Sequence, residues 1–210
     1  MKSHIVYLIR HTKPDIPKGI CYGQSDIGVA TSFQQEATET LRKLIALEGL
    51  SELASGHIIS SPLQRCFLLA EELAKHLHSP QASRIQTDDR LKEMNFGTWE
   101  MQQWSAIEEF VLHAWMRDYV NIRPNGGENF RELVERTTTA FYELSAEHSA
   151  EHSSNNTPLL LICHSGVIRG ILARLLEMPL EKAFSLEIDY GSITGIRVQE
   201  RHTSVLFVNR

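Results

Sequence analysis

Two arginines and two histidines stand where phosphoryl chemistry would want them. Arg10-His11-Thr12 follows the apolar run Ile5-Val6-Tyr7-Leu8-Ile9. Ser60-Ser61, with Arg65 four residues on, follows His57-Ile58-Ile59, and His164-Ser165-Gly166 follows Leu159 to Cys163. Each is a short apolar run ending in polar groups, the pattern of a buried strand delivering side chains at its carboxyl end. In open α/β sheets ligands bind just outside those ends. If the three strands are neighbours, Arg10, Arg65, His11 and His164 converge on one point. Guanidinium groups offer forked donors to phosphate oxygens, and a neutral imidazole can attack as a nucleophile. Helix starts after the second and third runs add partial positive charge from free N–H groups. A carboxylic acid is still required to protonate a departing alkoxide. Glu93, in Leu91-Lys92-Glu93-Met94-Asn95-Phe96-Gly97, is the best-placed candidate, with Glu100, Glu128, Asp88 and Asp89 as the alternatives. Lys13 and Lys92 add positive charge to the proposed site.

The elements that must position these residues follow from periodicity. Thr31 or Ser32 opens a helix, each with Gln three positions on as a capping-box partner. Ala37, Leu41, Leu44 and Ile45 recur at helical spacing and Gly49 supplies the stop. Ser61-Pro62 reads as an N-cap followed by proline at the first helical position. The helix beyond it places Phe67, Ala70, Leu73, Ala74 and Leu77 on one face. A brief third strand is expected at 84–86, and helices at 105–117 and 129–147. After Gly166 a helix carries Val167, Ile168, Ile171, Leu172 and Leu175. The tail alternates at 193–198 and 204–208, as paired antiparallel strands do. Strands alternating with helices predict a three-layer α/β/α sandwich with a mostly parallel central sheet.

Composition narrows the partners. At 210 residues with 42% hydrophobic content, the chain suits one domain spanning 1–210 with a core that needs no staple. Lys plus Arg is 21 against 26 Asp plus Glu, and the resulting net charge of −5 lacks the basic stripe of a nucleic-acid binder. The longest apolar runs are about five residues, far below the roughly 18 of a membrane span. The first run stops at Arg10 with no small-residue cleavage pattern, so no signal peptide is read. Cys21, Cys66 and Cys163 are odd in number and lack a C-x-x-C spacing, which suits reduced thiols in a cytoplasmic protein rather than disulfides or structural zinc. His148 and His152 lie four apart but sit at the polar end of a helix, where a solvated face is the simpler reading. Trp99, Trp104 and Trp115 are read as packing residues, with Trp99 or Tyr22 as candidate pocket walls. Cys21 would need a depressed pKa to act as a nucleophile.

Taken together, five segments resemble the histidine phosphatases, the phosphoglycerate-mutase-like superfamily. Leu8-Ile9-Arg10-His11-Thr12 resembles its Arg-His-Gly signature, and Ser60-Ser61-Pro62-Leu63-Gln64-Arg65 its Ser-Ser-Pro-x-x-Arg block. Leu91-x-Glu93-x-x-Phe96-Gly97-x-Trp99-Glu100 resembles the acid loop, Gly126-Gly127-Glu128 the later loop, and Cys163-His164-Ser165-Gly166-Val167-Ile168-Arg169 the second-histidine motif. The resemblance implies a phosphoglycerate-mutase-like fold and a phosphohistidine at His11. It implies that Arg10, Arg65 and His164 hold the transferring oxygens and that Glu93 serves as acid and then base. Ser165, Tyr22 and Gly23 are expected to contact the substrate. No cofactor and no metal are implied, because a positive pocket offsets the developing charge. The expected partner is a small phosphorylated substrate, with no nucleic acid and no membrane, and a homodimer is left open.

The chain also departs from the family pattern. Thr12 replaces the usual Gly, Lys13-Pro14 the usual Glu-Thr, Gly28 a usual Pro and Phe33 a usual Gly, and the Asn often found a few residues after the signature is absent. Gly19-x-Cys21-Tyr22-Gly23-x-x-Asp26 and Glu93-Met94-Asn95-Phe96-Gly97-Thr98-Trp99-Glu100 are similar to the alpha-ribazole phosphatase branch. Met94 stands where glycolytic mutases carry Arg, which disfavours a mutase. A broad-specificity sugar-phosphate or nucleotide phosphatase is the competing enzyme reading. A catalytically silent phospho-ligand-binding protein and a metal-dependent hydrolase are the readings from other classes.

Overall fold

The computed structural model describes residues 3–49, 53, 56–76, 85–151, 157–200 and 202–210. Strand β1 (Ser3–Arg10) leads through a long loop to α1 (Phe33–Glu48), then β2 (His57–Ser60), α2 (Gln64–Ala74) and β3 (Gln86–Thr87). After three short 3-10 turns come α3 (Glu109–Arg117), α4 (Phe130–Glu151), β4 (Leu159–Cys163) and α5 (Ser165–Leu175). A last 3-10 turn, Leu180–Ser185, precedes β5 (Ile193–Gln199) and β6 (His202–Phe207).

The six strands form one sheet in the order β3-β2-β4-β1-β5-β6. Pairings among β3, β2, β4 and β1 are parallel, while β5 runs antiparallel to both β1 and β6. Alternate β1 residues serve opposite faces, as the pleat demands. Val6 and Leu8 pack with Leu159 and Leu161 against Phe141 and Leu144 of α4 and Val167, Ile168 and Ile171 of α5. Tyr7 and Ile9 pack with Leu160 and Ile162 against Ala37 and Leu44 of α1 and Cys66, Leu69 and Leu73 of α2. The result is the three-layer α/β/α sandwich expected from the alternation. Among the described residues no helix is long and apolar enough to cross a membrane.

Several local expectations need correction. Ser32 caps α1, but without a side-chain bond to the backbone. Its Oγ instead donates to Glu36 at 2.6 Å, and Glu36 also accepts from the Lys13 backbone N–H, so neither Gln34 nor Gln35 completes a capping box. Helix α2 starts at Gln64, not Pro62, and its cap is Leu63. Asp26, from the loop after β1, accepts from the Gln64 N–H at 2.7 Å and so caps that helix from a distance. The buried face of α2 is Arg65, Cys66, Leu69, Ala70 and Leu73; Phe67 and Ala74 are only half-buried, and Leu77 lies outside the described residues. The third strand is Gln86–Thr87, with Arg84 outside the described residues, and α3 begins at Glu109 rather than at residue 105. His148 is buried, not solvated. Its ring lies 5.1 Å from His4 and stacks on His57 at 5.8 Å, and its Nε2 is 2.9 Å from the Thr157 carbonyl. His152 lies outside the described residues.

Candidate active site

Strand register brings the three polar strand ends to one level. Arg10 pairs with Cys163 and Ser60 with Ile162, so His11, Ser61 and His164 each emerge one residue beyond the ladder. The next backbone bonds keep them there: His11 N–H donates to the Cys163 carbonyl at 3.0 Å and Ser61 N–H to the Ile162 carbonyl at 2.8 Å. Ser61 Oγ accepts only a long bond, 3.4 Å, from the Leu63 N–H and lies 2.9 Å from His164 Nε2. The His11 and His164 rings meet edge to face at 5.0 Å. Arg10, Arg65, His11 and His164 do converge, as neighbouring strands required.

One His11 nitrogen is bonded and, among the described residues, the other is free. Its Nδ1 lies 2.6 Å from the Thr12 carbonyl. A carbonyl can only accept, so this bond assigns the proton to Nδ1 and leaves the Nε2 lone pair for a ligand. Burial, with repulsion from Arg65 and Arg10, pushes the imidazole well below its ordinary value of 6.5. His164 is depressed in the same direction, by burial first and then by Arg65, His11 and Arg10. Both rings are therefore neutral at neutral pH.

The arginines are held from behind. Fully buried Arg65 donates from Nη1 to the Ser25 carbonyl at 2.9 Å and from Nη2 to the Gly23 carbonyl at 2.5 Å. Arg10 donates from Nη1 to the Ile188 carbonyl at 2.6 Å. The Nε atoms of both are buried without an acceptor among the described residues. Arg10 and His11 line a pocket, while Arg65 and His164 lie fully buried behind it, so positive charge with unpaired donors stands beside a free imidazole nitrogen.

Glu93 joins this group from the far side. Its carboxylate accepts from the Gly166 N–H at 3.1 Å, the Ser165 hydroxyl at 3.4 Å and the Met94 N–H at 3.0 Å, which seats it on the first turn of α5. Gly166 makes room: a Cβ there would fall 2.3 Å from Glu93 Oε1. Arg136 anchors the segment by donating to the Glu93 and Lys92 carbonyls while paired with Glu128. The alternative carboxylates are occupied elsewhere. Glu100 clamps Gln24, Ser25 and Phe96, Glu128 holds Asn95 and Arg136, Asp88 caps Arg90, and Asp89 pairs with Lys92.

The pocket over these groups measures about 190 Å³ and is lined by Arg10, His11 and Glu93, by Ser165 and Gly166, and otherwise by hydrophobic and aromatic side chains. Those are Ile20, Tyr22, Met94, Phe96, Trp104, Phe130 and Phe184. Tyr22 is a wall, as expected, but Trp104 takes the place anticipated for Trp99, which is buried beneath it with Cys21 and Ile107. Gly23 does not line the pocket. Its carbonyl holds Arg65, and its Cα passes so close to the Met94 carbonyl that a Cβ would fall 1.9 Å away. Lys13 and Lys92 do not line it either, Lys92 being ion-paired with Asp89. Cys21 is buried and its thiol is pushed up to about 12, first by burial and then by Glu100, which removes it as a nucleophile. Phe130 and Phe184 gave no separate signal in the sequence, because an aromatic wall assembled from distant segments has no spacing to read. Among the described residues no group of three or more His, Cys, Asp or Glu is arranged to hold a metal ion.

The chain is 26% identical to the adenosylcobalamin/alpha-ribazole phosphatase of Escherichia coli strain K12 over 209 residues, covering 97% of this chain and 95% of that one. It is likewise 26% identical to phosphoserine phosphatase 1 of Hydrogenobacter thermophilus over 206 residues, covering 96% and 90%. In fold, mycobacterial glucosyl-3-phosphoglycerate phosphatase superposes with a TM-score of 0.79 at 21% identity, over 99% of each chain. Because residues 6–210, from the first strand to the last residue, match the family as a whole, the chain belongs to the histidine phosphatase superfamily, branch 1.

Proposed function

We propose that the protein is a phosphomonoester hydrolase working through a phosphohistidine at His11, with alpha-ribazole 5′-phosphate as its substrate. His11 Nε2 attacks phosphorus in line while its Nδ1–H keeps donating to the Thr12 carbonyl. The ester P–O bond breaks, and Glu93 gives its proton to the departing ribose oxygen. Glu93 then takes a proton from water as that water attacks phosphorus, and phosphate leaves with His11 restored. Arg10, Arg65 and His164 offset the charge on the equatorial oxygens, in a site dry enough for that to count.

The substrate choice rests on the walls of the pocket. Beyond the reacting Arg10 and Glu93 its lining carries no charged side chain, and it presents Tyr22, Phe96, Trp104, Phe130 and Phe184 to the leaving group. Phosphoserine would bring an ammonium and a carboxylate to that surface, and glucosyl-3-phosphoglycerate a carboxylate, each unpaired there at a cost. A flat, uncharged base suits the aromatic wall. Side-by-side kcat/KM values for alpha-ribazole 5′-phosphate, phosphoserine, glucosyl-3-phosphoglycerate and nucleoside monophosphates test the choice. Alpha-ribazole 5′-phosphate is expected to lead by at least ten-fold. Equal values across the panel would replace it with a broad-specificity phosphatase, and no turnover of any ester, p-nitrophenyl phosphate included, would leave a silent binding protein.

A further inference from the structure

The segment 188–192, just before β5, is wrapped around Arg10. Arg10 N–H donates to the Ser192 carbonyl at 3.0 Å, and Gly191 N–H lies 3.2 Å from the carbonyls of both Arg10 and His11. Ile188 accepts from the guanidinium. Gly191 turns the chain at φ +65, and a Cβ there would approach Thr40 Oγ1 to 2.7 Å. Asp189 is fixed by Asn209, which accepts from its N–H at 2.6 Å and donates to its carboxylate at 3.0 Å.

Within this wrap Tyr190 lays its ring on the guanidinium, with Arg10 Cζ 3.7 Å from the ring centroid. The same ring lies 5.6 Å from the His11 imidazole. Its hydroxyl shares a 2.8 Å hydrogen bond with the hydroxyl of Tyr22, whose ring lies 5.4 Å from Arg65 Cζ. The guanidinium has Nη1 bonded to Ile188 and one face covered by the ring. Its remaining buried donor, Nε, has no acceptor among the described residues.

We propose that Tyr190 is a positioning residue for phosphoryl transfer, holding the guanidinium plane of Arg10 so that its Nε donor meets the anion beside His11. The proposal rests on the reading that phosphoryl transfer occurs at His11. A ring over a guanidinium leaves the charge intact while fixing the fork, and Tyr190 does so from the rim, where it is 38% exposed. Misaimed donors cost rate even where they still bind. A residue that only filled the rim could be any apolar side chain of similar size. One that orients a planar cation needs a ring.

Inhibition of p-nitrophenyl phosphate turnover by orthovanadate separates the two roles. Tyr190→Leu is expected to raise the vanadate inhibition constant about ten-fold and to lower kcat, with Tm within a few degrees of the parent. Tyr190→Phe, which keeps the ring, should recover most of that loss. In an Arg10→Lys background the Tyr190→Leu penalty should largely vanish, because no planar cation remains to be oriented. If Tyr190→Leu proves unstable, Tyr190→Met makes the same comparison with an unbranched side chain. Unchanged vanadate inhibition in Tyr190→Leu, or a penalty undiminished by Arg10→Lys, would overturn the positioning role. A wild-type protein that neither turns over the ester nor binds vanadate would overturn the phosphoryl-transfer reading itself.

Discussion

At the scale of single residues, Glu93 and Gly166 form one unit. The carboxylate rests on the Gly166 N–H, and glycine is what lets it sit there. General acid catalysis is worth about 10²–10⁴-fold when the leaving group is a strong base. Glu93→Gln should therefore abolish turnover of alkyl phosphates. With p-nitrophenyl phosphate, whose leaving group needs no proton, the same variant should give a stoichiometric burst and then a slow steady state. Equal losses on both esters without a burst would move the acid role elsewhere. Gly166→Ala should imitate part of this, because the added Cβ displaces the flexible end of Glu93 rather than backbone. Its alkyl phosphate turnover should fall more than ten-fold with little change in Tm, and a fall in Tm alone would contradict the link. His11, Arg10, Arg65, His164 and Glu93 were all legible in the sequence, since each follows an apolar run or lies in a recognisable loop. Tyr190 was not, because its partner Arg10 is 180 positions away and no local pattern marks a ring that stacks on a distant cation.

At the scale of elements, strands were easier to read than helix starts. A continuous apolar run such as Leu159 to Cys163 is buried wherever it goes, so β4 ran as expected. Caps depend on what else needs the same side chain. Ser61 fits the cap of α2 by sequence, yet His164 takes its hydroxyl and Asp26 takes over the helix end. Asp26→Ala should then cost about 1 kcal/mol, lowering Tm by about 2–4 °C for a chain of this size. The same change removes one tie on the loop that supplies Gly23 and Ser25 to Arg65, so vanadate inhibition should weaken along with Tm. Thermal unfolding and inhibition measured on one preparation check both, and a variant indistinguishable from the parent would return the cap to Ser61. The 3-10 turns between residues 89 and 106 were beyond sequence reading because their geometry comes from Glu100 and Arg136 gripping distant backbone.

At the scale of the whole molecule, the buried histidines make stability depend on pH. His11 and His164 in the folded chain hold a proton far less tightly than in the unfolded chain. Below about pH 6.5 the unfolded chain takes up protons that the folded chain refuses, so stability falls as pH falls; above that value their contribution is flat. Each histidine contributes a slope of up to about 1.4 kcal/mol per pH unit within the window. Tm should drop between pH 7 and pH 5 in a buffer that does not bind the site, and His11→Asn should flatten that drop. Added phosphate should raise Tm, since an anion beside the two rings favours their protonated forms. Parallel pH profiles for the parent and His11→Asn would show that other groups govern the acid limb. His4 is depressed too, by burial, and steepens the same limb.

Sheet order also has a consequence for how the protein is made. Strand β1 (Ser3–Arg10) is synthesised long before either of its neighbours, β4 and β5, which begin only at Leu159 and Ile193. At 5–20 residues per second, Ile5-Val6-Tyr7-Leu8-Ile9 waits roughly 8–30 s before β4 can cover one edge, and longer before β5 covers the other. During that interval the nascent chain offers an apolar strand to other nascent chains, and a chaperone that shields it should raise soluble yield.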